Sequence, residues 1–184
     1  MSARRALFLD RDGVVNVDKA YVHKKEDFDF IPGIFDLART AHALGYLVVV
    51  VTNQAGIGRG YYDELQFLEL MAWVRGEFES NNARLDAVYF CPHHPQHGLG
   101  LYRRDCDSRK PGPGMFLRAA GELNIDLSAS VAIGDRDTDM LAARAAGVPT
   151  RLLLRPAESL KEQAVDRSLS IAIPDLFSAL DYLK

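Results

Sequence analysis

Short apolar runs alternate with stretches of helical spacing from one end of the chain to the other. Residues 6–9 are apolar and stop at Asp10. Residues 47–51, a leucine followed by four valines, have the unbroken β-branched character of a strand covered on both faces. Residues 87–90 and 131–133 read as further strands, and 151–154 and 170–172 as weaker ones. Between them, residues 33–44, 63–78, 115–123 and 138–146 repeat apolar side chains at helical intervals. Asp63 is placed as an N-cap and Gly147 as a C-terminal stop. Residues 174–183 predict a last helix. This alternation predicts an α/β fold, a doubly wound, Rossmann-like parallel sheet with helices on both faces. No repeat, low-complexity tract or linker divides residues 1–184, which are read as one domain.

In such sheets ligands bind beyond the carboxyl ends of the strands. The first run is followed by Asp10-Arg11-Asp12-Gly13, the second by Thr52-Asn53-Gln54, and the fourth by Gly134-Asp135, with Asp137 and Asp139 behind. A single aspartate at such a place is commonly a cap or turn residue. Several at one rim repel one another and call for a compensating cation, and Mg²⁺ held by carboxylates beside a substrate phosphate is the simplest. If the first strand continues, Asp10 and Asp12 share a face, so that one carboxylate can attack while the other exchanges protons.

The set Leu9-Asp10-Arg11-Asp12-Gly13-Val14 resembles the first motif of the haloacid dehalogenase superfamily of phosphatases. Thr52, Lys110 in Arg109-Lys110-Pro111, and Gly134-Asp135-Arg136-Asp137-Thr138-Asp139 resemble its second, third and fourth motifs, in the family's order. The resemblance implies that Asp10 is the nucleophile and Asp12 the general acid and base. It implies that Asp10, Asp135 and the backbone carbonyl of Asp12 hold Mg²⁺, and that Thr52 and Lys110 grip the phosphoryl oxygens.

Residues 16–23, 52–60, 91–95 and 106–111 are similar to loops of the D-glycero-D-manno-heptose 1,7-bisphosphate 7-phosphatases, and this likeness covers nearly the whole chain. It implies substrate contacts from Asp18, Lys19, Ala20 and Tyr21, from Asn53, Gln54 and Ala55, and from Arg109 and Arg136. It also implies a minimal cap and a sugar bisphosphate as substrate, in a pathway toward surface polysaccharide. Histidinol-phosphate phosphatases share the loop before the third motif. Ala55 and Gly58-Arg59-Gly60-Tyr61 favour the heptose enzymes over them. A phospho-accepting signalling module is the alternative from another class, but it lacks a second aspartate two residues after the acceptor. Gly56, Gly58 and Gly60 match no nucleotide-binding pattern. They are read either as a turn before a helix or as backbone approaching a phosphate.

The segment 91–113 is long for a loop and rich in histidine, glycine, proline and charge. The family's structural Zn²⁺ is held by Cys-x-His and Cys-x-Cys. Cys91, His93 and Cys106 match three of those positions, whereas the fourth is Ser108, a poor zinc ligand. A further ligand from His94, His97, Asp105 or Asp107, a water, or a loop without metal all remain open.

Composition removes other classes. With 22 Lys and Arg against 25 Asp and Glu, the net charge of −3 gives no basic face for nucleic acid. The longest apolar run, 46–51, is too short to cross a bilayer, and Arg4 and Arg5 precede too few apolar residues for a signal peptide. Two cysteines make no disulfide framework. The expectation is a cytoplasmic monomer that binds neither nucleic acid nor membrane.

Overall fold

The structure, a computed structural model, describes residues 3–156 and 166–184. Six strands form one parallel sheet: β1 (Arg5–Leu9), β2 (Tyr46–Asn53), β3 (Ala87–Cys91), β4 (Val131–Gly134), β5 (Thr150–Leu154) and β6 (Ile171–Ile173). Their order is β3-β2-β1-β4-β5-β6. The chain winds outward from β1 to β3, then crosses back to β4 on the other side of β1. The crevice between β1 and β4 is therefore the place where the strand order reverses, the usual ligand position of a doubly wound sheet.

The sheet is covered on both faces, as the valine run requires. On β1, Leu7 and Leu9 enter one core while Ala6 and Phe8 enter the other. On β2, Val48 and Val50 alternate with Val49 and Val51 in the same way, because successive side chains of a strand point to opposite faces. The first core is closed by α1 (Ile34–Ala43) and α3 (Glu64–Ser80), and the second by α4 (Gly114–Leu123) and α5 (Asp137–Ala145). Asp63 caps α3 through a capping box with Gln66, and Gly147 follows α5 with φ +89°. Both match their sequence signals.

Three elements depart from the sequence reading. The segment 174–183 is not a regular helix but a 3-10 helix over Ser178–Tyr182. The Asp175 carboxylate binds the backbone N–H and hydroxyl of Ser178, which tightens the start of the segment. Its buried residues are Leu176, Ala179 and Leu183. The last strand is shifted one residue, to Ile171–Ile173. The glycine-rich stretch forms one helical turn, α2 (Ala55–Gly58). Two of its glycines are required by close packing: a Cβ on Gly56 would lie 2.3 Å from the Tyr62 ring, and one on Gly58 would lie 2.4 Å from the Pro92 carbonyl oxygen.

At the lower edge of β1 the ladder is completed by a side chain. The Ala6 N–H donates to Ser130 Oγ at 2.9 Å, and that hydroxyl donates to the Asp126 carbonyl at 2.6 Å. Ser130 is 1% exposed. Ser130→Ala leaves a buried N–H without its partner and is expected to lower stability by about 1–3 kcal/mol. Urea unfolding of the variant checks this, and an unchanged midpoint contradicts it.

Candidate active site

β1 ends at Leu9, and the Asp10 N–H donates to the Ile133 carbonyl at 3.0 Å. The strand does not continue to Asp12 as the sequence reading supposed. Instead the chain turns, with the Arg11 carbonyl accepting N–H bonds from Val14, Val15 and Asn16. Both carboxylates nonetheless face one cavity of about 520 Å³, lined also by Thr52, Gln54, Lys110 and Asp139. β2 runs past its valines to deliver Thr52 to the same place. β4 ends at Gly134 and delivers Asp135, packed so closely on Gly13 that a Cβ there would lie 2.3 Å from Asp135 Oδ2. Gly13 also has φ +89°, so both its conformation and its contact require glycine.

Lys110 is 3% exposed and is the buried cation that touches Asp10 and Asp139, while Asp135 has the more exposed Arg136 Nε at 3.9 Å. Its Nζ donates to Asp10 Oδ1 at 2.8 Å, Asp139 Oδ1 at 2.6 Å and the Val51 carbonyl at 2.9 Å. Asn53 brackets the same residue: its Oδ1 accepts the Lys110 N–H at 3.0 Å and its Nδ2 donates to the Lys110 carbonyl at 3.1 Å. Burial is the largest influence on Asp10 and holds its carboxyl above the usual range. Lys110 opposes this, and the neighbouring carboxylates of Asp139 and Asp135 add to it. The same ion pairs raise Lys110 despite its burial. Asp135, also desolvated and beside Asp139, is pushed up from 3.8 to about 6.

One ammonium among three carboxylates leaves an excess of negative charge. Asp10, Asp135 and Asp139 present oxygens within 4.8 Å of one another, and Asp135 Oδ1 is buried with no hydrogen-bond partner. Asp139 is committed to Lys110 and to the Arg136 N–H. Asp10 and Asp135 are therefore the carboxylates free to meet a hard divalent cation, a donor set that suits Mg²⁺.

The remaining residues singled out by sequence divide into two groups. Asp18, Ala20, Tyr21, Asn53, Gln54, Ala55, Arg109 and Arg136 line the cavity. Arg136 pairs with Asp18 Oδ2 at 2.8 Å, and Arg109 donates to the His93 carbonyl at 3.0 Å. The Lys19 ammonium is turned instead to Asp29, 2.6 Å away, and does not line the cavity. Asp139, which the sequence places behind Asp135 at this rim, also lines it, as do Arg59 and Tyr62, to which the sequence assigns no site role. Arg11 was likewise missed. It is fully buried, and its Nη2 donates to Asp12 Oδ1 at 2.6 Å and to the Val22 carbonyl at 2.7 Å.

Beside the cavity, β3 ends on Cys91, and the following loop brings back His93 and Cys106. The two sulfurs are 3.4 Å apart, and His93 Nδ1 lies 3.1 Å from Cys106 Sγ and 3.7 Å from Cys91 Sγ. Two thiols and an imidazole are the donors structural zinc prefers. Among the described residues no fourth histidine, cysteine, aspartate or glutamate joins this group, so His94, His97, Asp105 and Asp107 stay outside it. Burial holds the Cys91 thiol up to about 12.

A HAD-hydrolase-like family model matches residues 108–174. A protein of Vibrio cholerae serotype O1 named D-glycero-beta-D-manno-heptose-1,7-bisphosphate 7-phosphatase is 50% identical over 161 residues, covering 88% of this chain and 87% of its own. One of Burkholderia mallei, named for the alpha anomer, is 55% identical over 150 residues, covering 82% and 79%. The crystal structure of D,D-heptose 1,7-bisphosphate phosphatase from B. bronchiseptica, complexed with magnesium and phosphate, superposes with a TM-score of 0.82 at 28% identity, over 97% of each chain.

The raised Asp135 carboxyl sets a pH dependence. It binds its proton more tightly in the folded chain than at its ordinary 3.8, so stability is greatest on the acid side of that window. Stability then falls as pH rises toward about 6, where the buried charge must form. With a chelator present, thermal unfolding is expected to give a lower Tm at pH 7 than at pH 5, and Asp135→Asn to flatten that slope. An unaltered slope in the variant contradicts the assignment.

Proposed function

The chain belongs to the D-glycero-manno-heptose-1,7-bisphosphate 7-phosphatase family of HAD-like hydrolases, and we propose that it removes the 7-phosphate of D-glycero-D-manno-heptose 1,7-bisphosphate through a phosphoenzyme on Asp10. The observation that carries this reading is the convergence of Asp10, Asp12 and Lys110 on one cavity at the reversal of strand order. Asp10 attacks phosphorus as the bond to the sugar oxygen breaks, and Asp12 gives that oxygen its proton. Asp12 then takes a proton from water as the water attacks the phosphorus of the aspartyl phosphate, which frees Asp10 and inorganic phosphate. Lys110 and Thr52 face the phosphoryl oxygens, and Arg109 and Arg136 offer guanidinium groups to the rest of an anionic substrate.

Asp10, Asp135 and the backbone carbonyl of Asp12 would hold Mg²⁺, which supplies positive charge to the phosphoryl group. Cys91, His93 and Cys106 would hold a structural Zn²⁺, with Ser108 leaving the fourth position without a protein thiolate. No helix among the described residues is long and apolar enough to cross a membrane. The two free thiols suit a reducing compartment, and we place the enzyme in the cytoplasm as one domain.

Phosphate release with Mg²⁺ is expected from both anomers or one anomer of the heptose bisphosphate in preference to histidinol phosphate. Preference for histidinol phosphate contradicts the substrate. Asp10→Asn is expected to abolish turnover with an unchanged circular dichroism spectrum, and an active variant removes Asp10 as nucleophile.

A further inference from the structure

Gln54 is 1% exposed at the end of β2, although it lines the cavity. Both hydrogens of its carboxamide are used: Nε2 donates to Asp12 Oδ2 at 3.1 Å and to Thr52 Oγ1 at 2.9 Å. Its Oε1 accepts from the Tyr62 hydroxyl at 2.6 Å. An ionised carboxylate can only accept, so Asp12 decides which end of the amide faces it, and the phenol must then be the donor at the other end. The side chain has no hydrogen left to offer a substrate.

Tyr62 is fixed in turn. Its ring stacks on His23 at 4.9 Å between centroids and 6° between planes. On another side lies Gly56, where a Cβ would come within 2.3 Å of the ring. Burial holds the phenol up at about 12, which keeps it a donor.

The other oxygen of Asp12 is occupied as well. Oδ1 accepts from Arg11 Nη2 at 2.6 Å and from Asn16 Nδ2 at 3.1 Å, which uses both of its lone pairs. The exchangeable proton of Asp12 must therefore sit on Oδ2, on the lone pair that Gln54 leaves free. We propose that Gln54, oriented by Tyr62, is the positioning residue that aims this proton at the leaving oxygen. The inference rests on the phosphatase reading above. In the first half-reaction the Asp10–phosphorus bond forms, the phosphorus–oxygen bond to the sugar breaks, and the Oδ2 proton moves to the departing oxygen. In the second it is replaced by a proton from the attacking water.

An alkoxide leaving group needs that proton, whereas p-nitrophenolate leaves without it. The test compares Gln54→Met and Tyr62→Phe with the unaltered enzyme on heptose bisphosphate and on p-nitrophenyl phosphate, reading the nitrophenolate burst for the first step alone. General acid–base catalysis contributes about 10²–10⁴-fold, so Gln54→Met is expected to lose about tenfold or more in kcat on the bisphosphate. KM and the burst rate are expected to stay within about twofold, since neither depends on the aimed proton. Tyr62→Phe, which keeps the ring and its packing, is expected to shift kcat in the same direction by a smaller factor. Equal losses on both substrates, or a raised KM with unchanged kcat, overturn the inference while leaving the phosphatase reading intact. If the aryl ester is not turned over, the KM-against-kcat split on the bisphosphate decides alone. An unaltered enzyme that releases phosphate from neither substrate overturns the phosphatase reading and this inference with it.

Discussion

The burial of one lysine among three carboxylates is the constraint around which the rest is arranged. Lys110 sits with its ammonium against Asp10 and Asp139, and Asp135 lies beside them. Removing charges from water is expensive, and Lys110, with an Arg136 that Asp135 shares with Asp18, does not balance the anions. Burial first, and repulsion among the carboxylates after it, keeps Asp10 and Asp135 above their usual pKa range, and an oxygen of Asp135 is left without a partner. A site assembled this way is unfavourable by itself and receptive to a divalent cation and a phosphate together.

The fold makes such an arrangement attainable. Asp10 and Asp135 follow the two strands that flank the reversal of strand order, and Thr52 is the last residue but one of the strand on the other side of β1. Their backbones are fixed by the sheet, so repulsion between the acids does not move them apart. Lys110 comes from a segment outside the sheet and is positioned by Asn53, whose amide binds its backbone on both sides. The Cys91, His93 and Cys106 group sits where β3 leaves the sheet, in the same excursion that returns Arg109 and Lys110 to the cavity. A metal there would hold the shape of the loop that carries the lysine.

Much of this was legible in the sequence, for a physical reason. Strands buried on both faces write themselves as unbroken apolar runs, and the residue that ends each run marks the ligand-binding edge. Asp10, Thr52 and Asp135 were found in that way. What was not legible depends on partners distant in the chain and free of any period. Asp139 is placed at the acidic rim by its position behind Asp135, but nothing in its spacing points to its pairing with Lys110. Gln54 and Asn53 were read as substrate contacts, yet their amides are engaged by Asp12, Thr52 and Tyr62 in one case and by Lys110 in the other. Arg11 lies between two catalytic candidates and is fully buried, against the ordinary expectation for an arginine. The last helix is instead a five-residue 3-10 helix, started by the Asp175 carboxylate on Ser178, a local contact that carries no periodic signal.

Asp10 is proposed to carry the phosphoryl group during turnover. The most direct test is rapid acid quenching of the enzyme with Mg²⁺ and ³²P-labelled heptose bisphosphate, followed by mapping of the labelled peptide. Transient label is expected on the peptide containing Asp10, sensitive to hydroxylamine as an acyl phosphate is, and gone when substrate is exhausted. Label on another residue, or turnover with no label on the protein at any quench time, would contradict it.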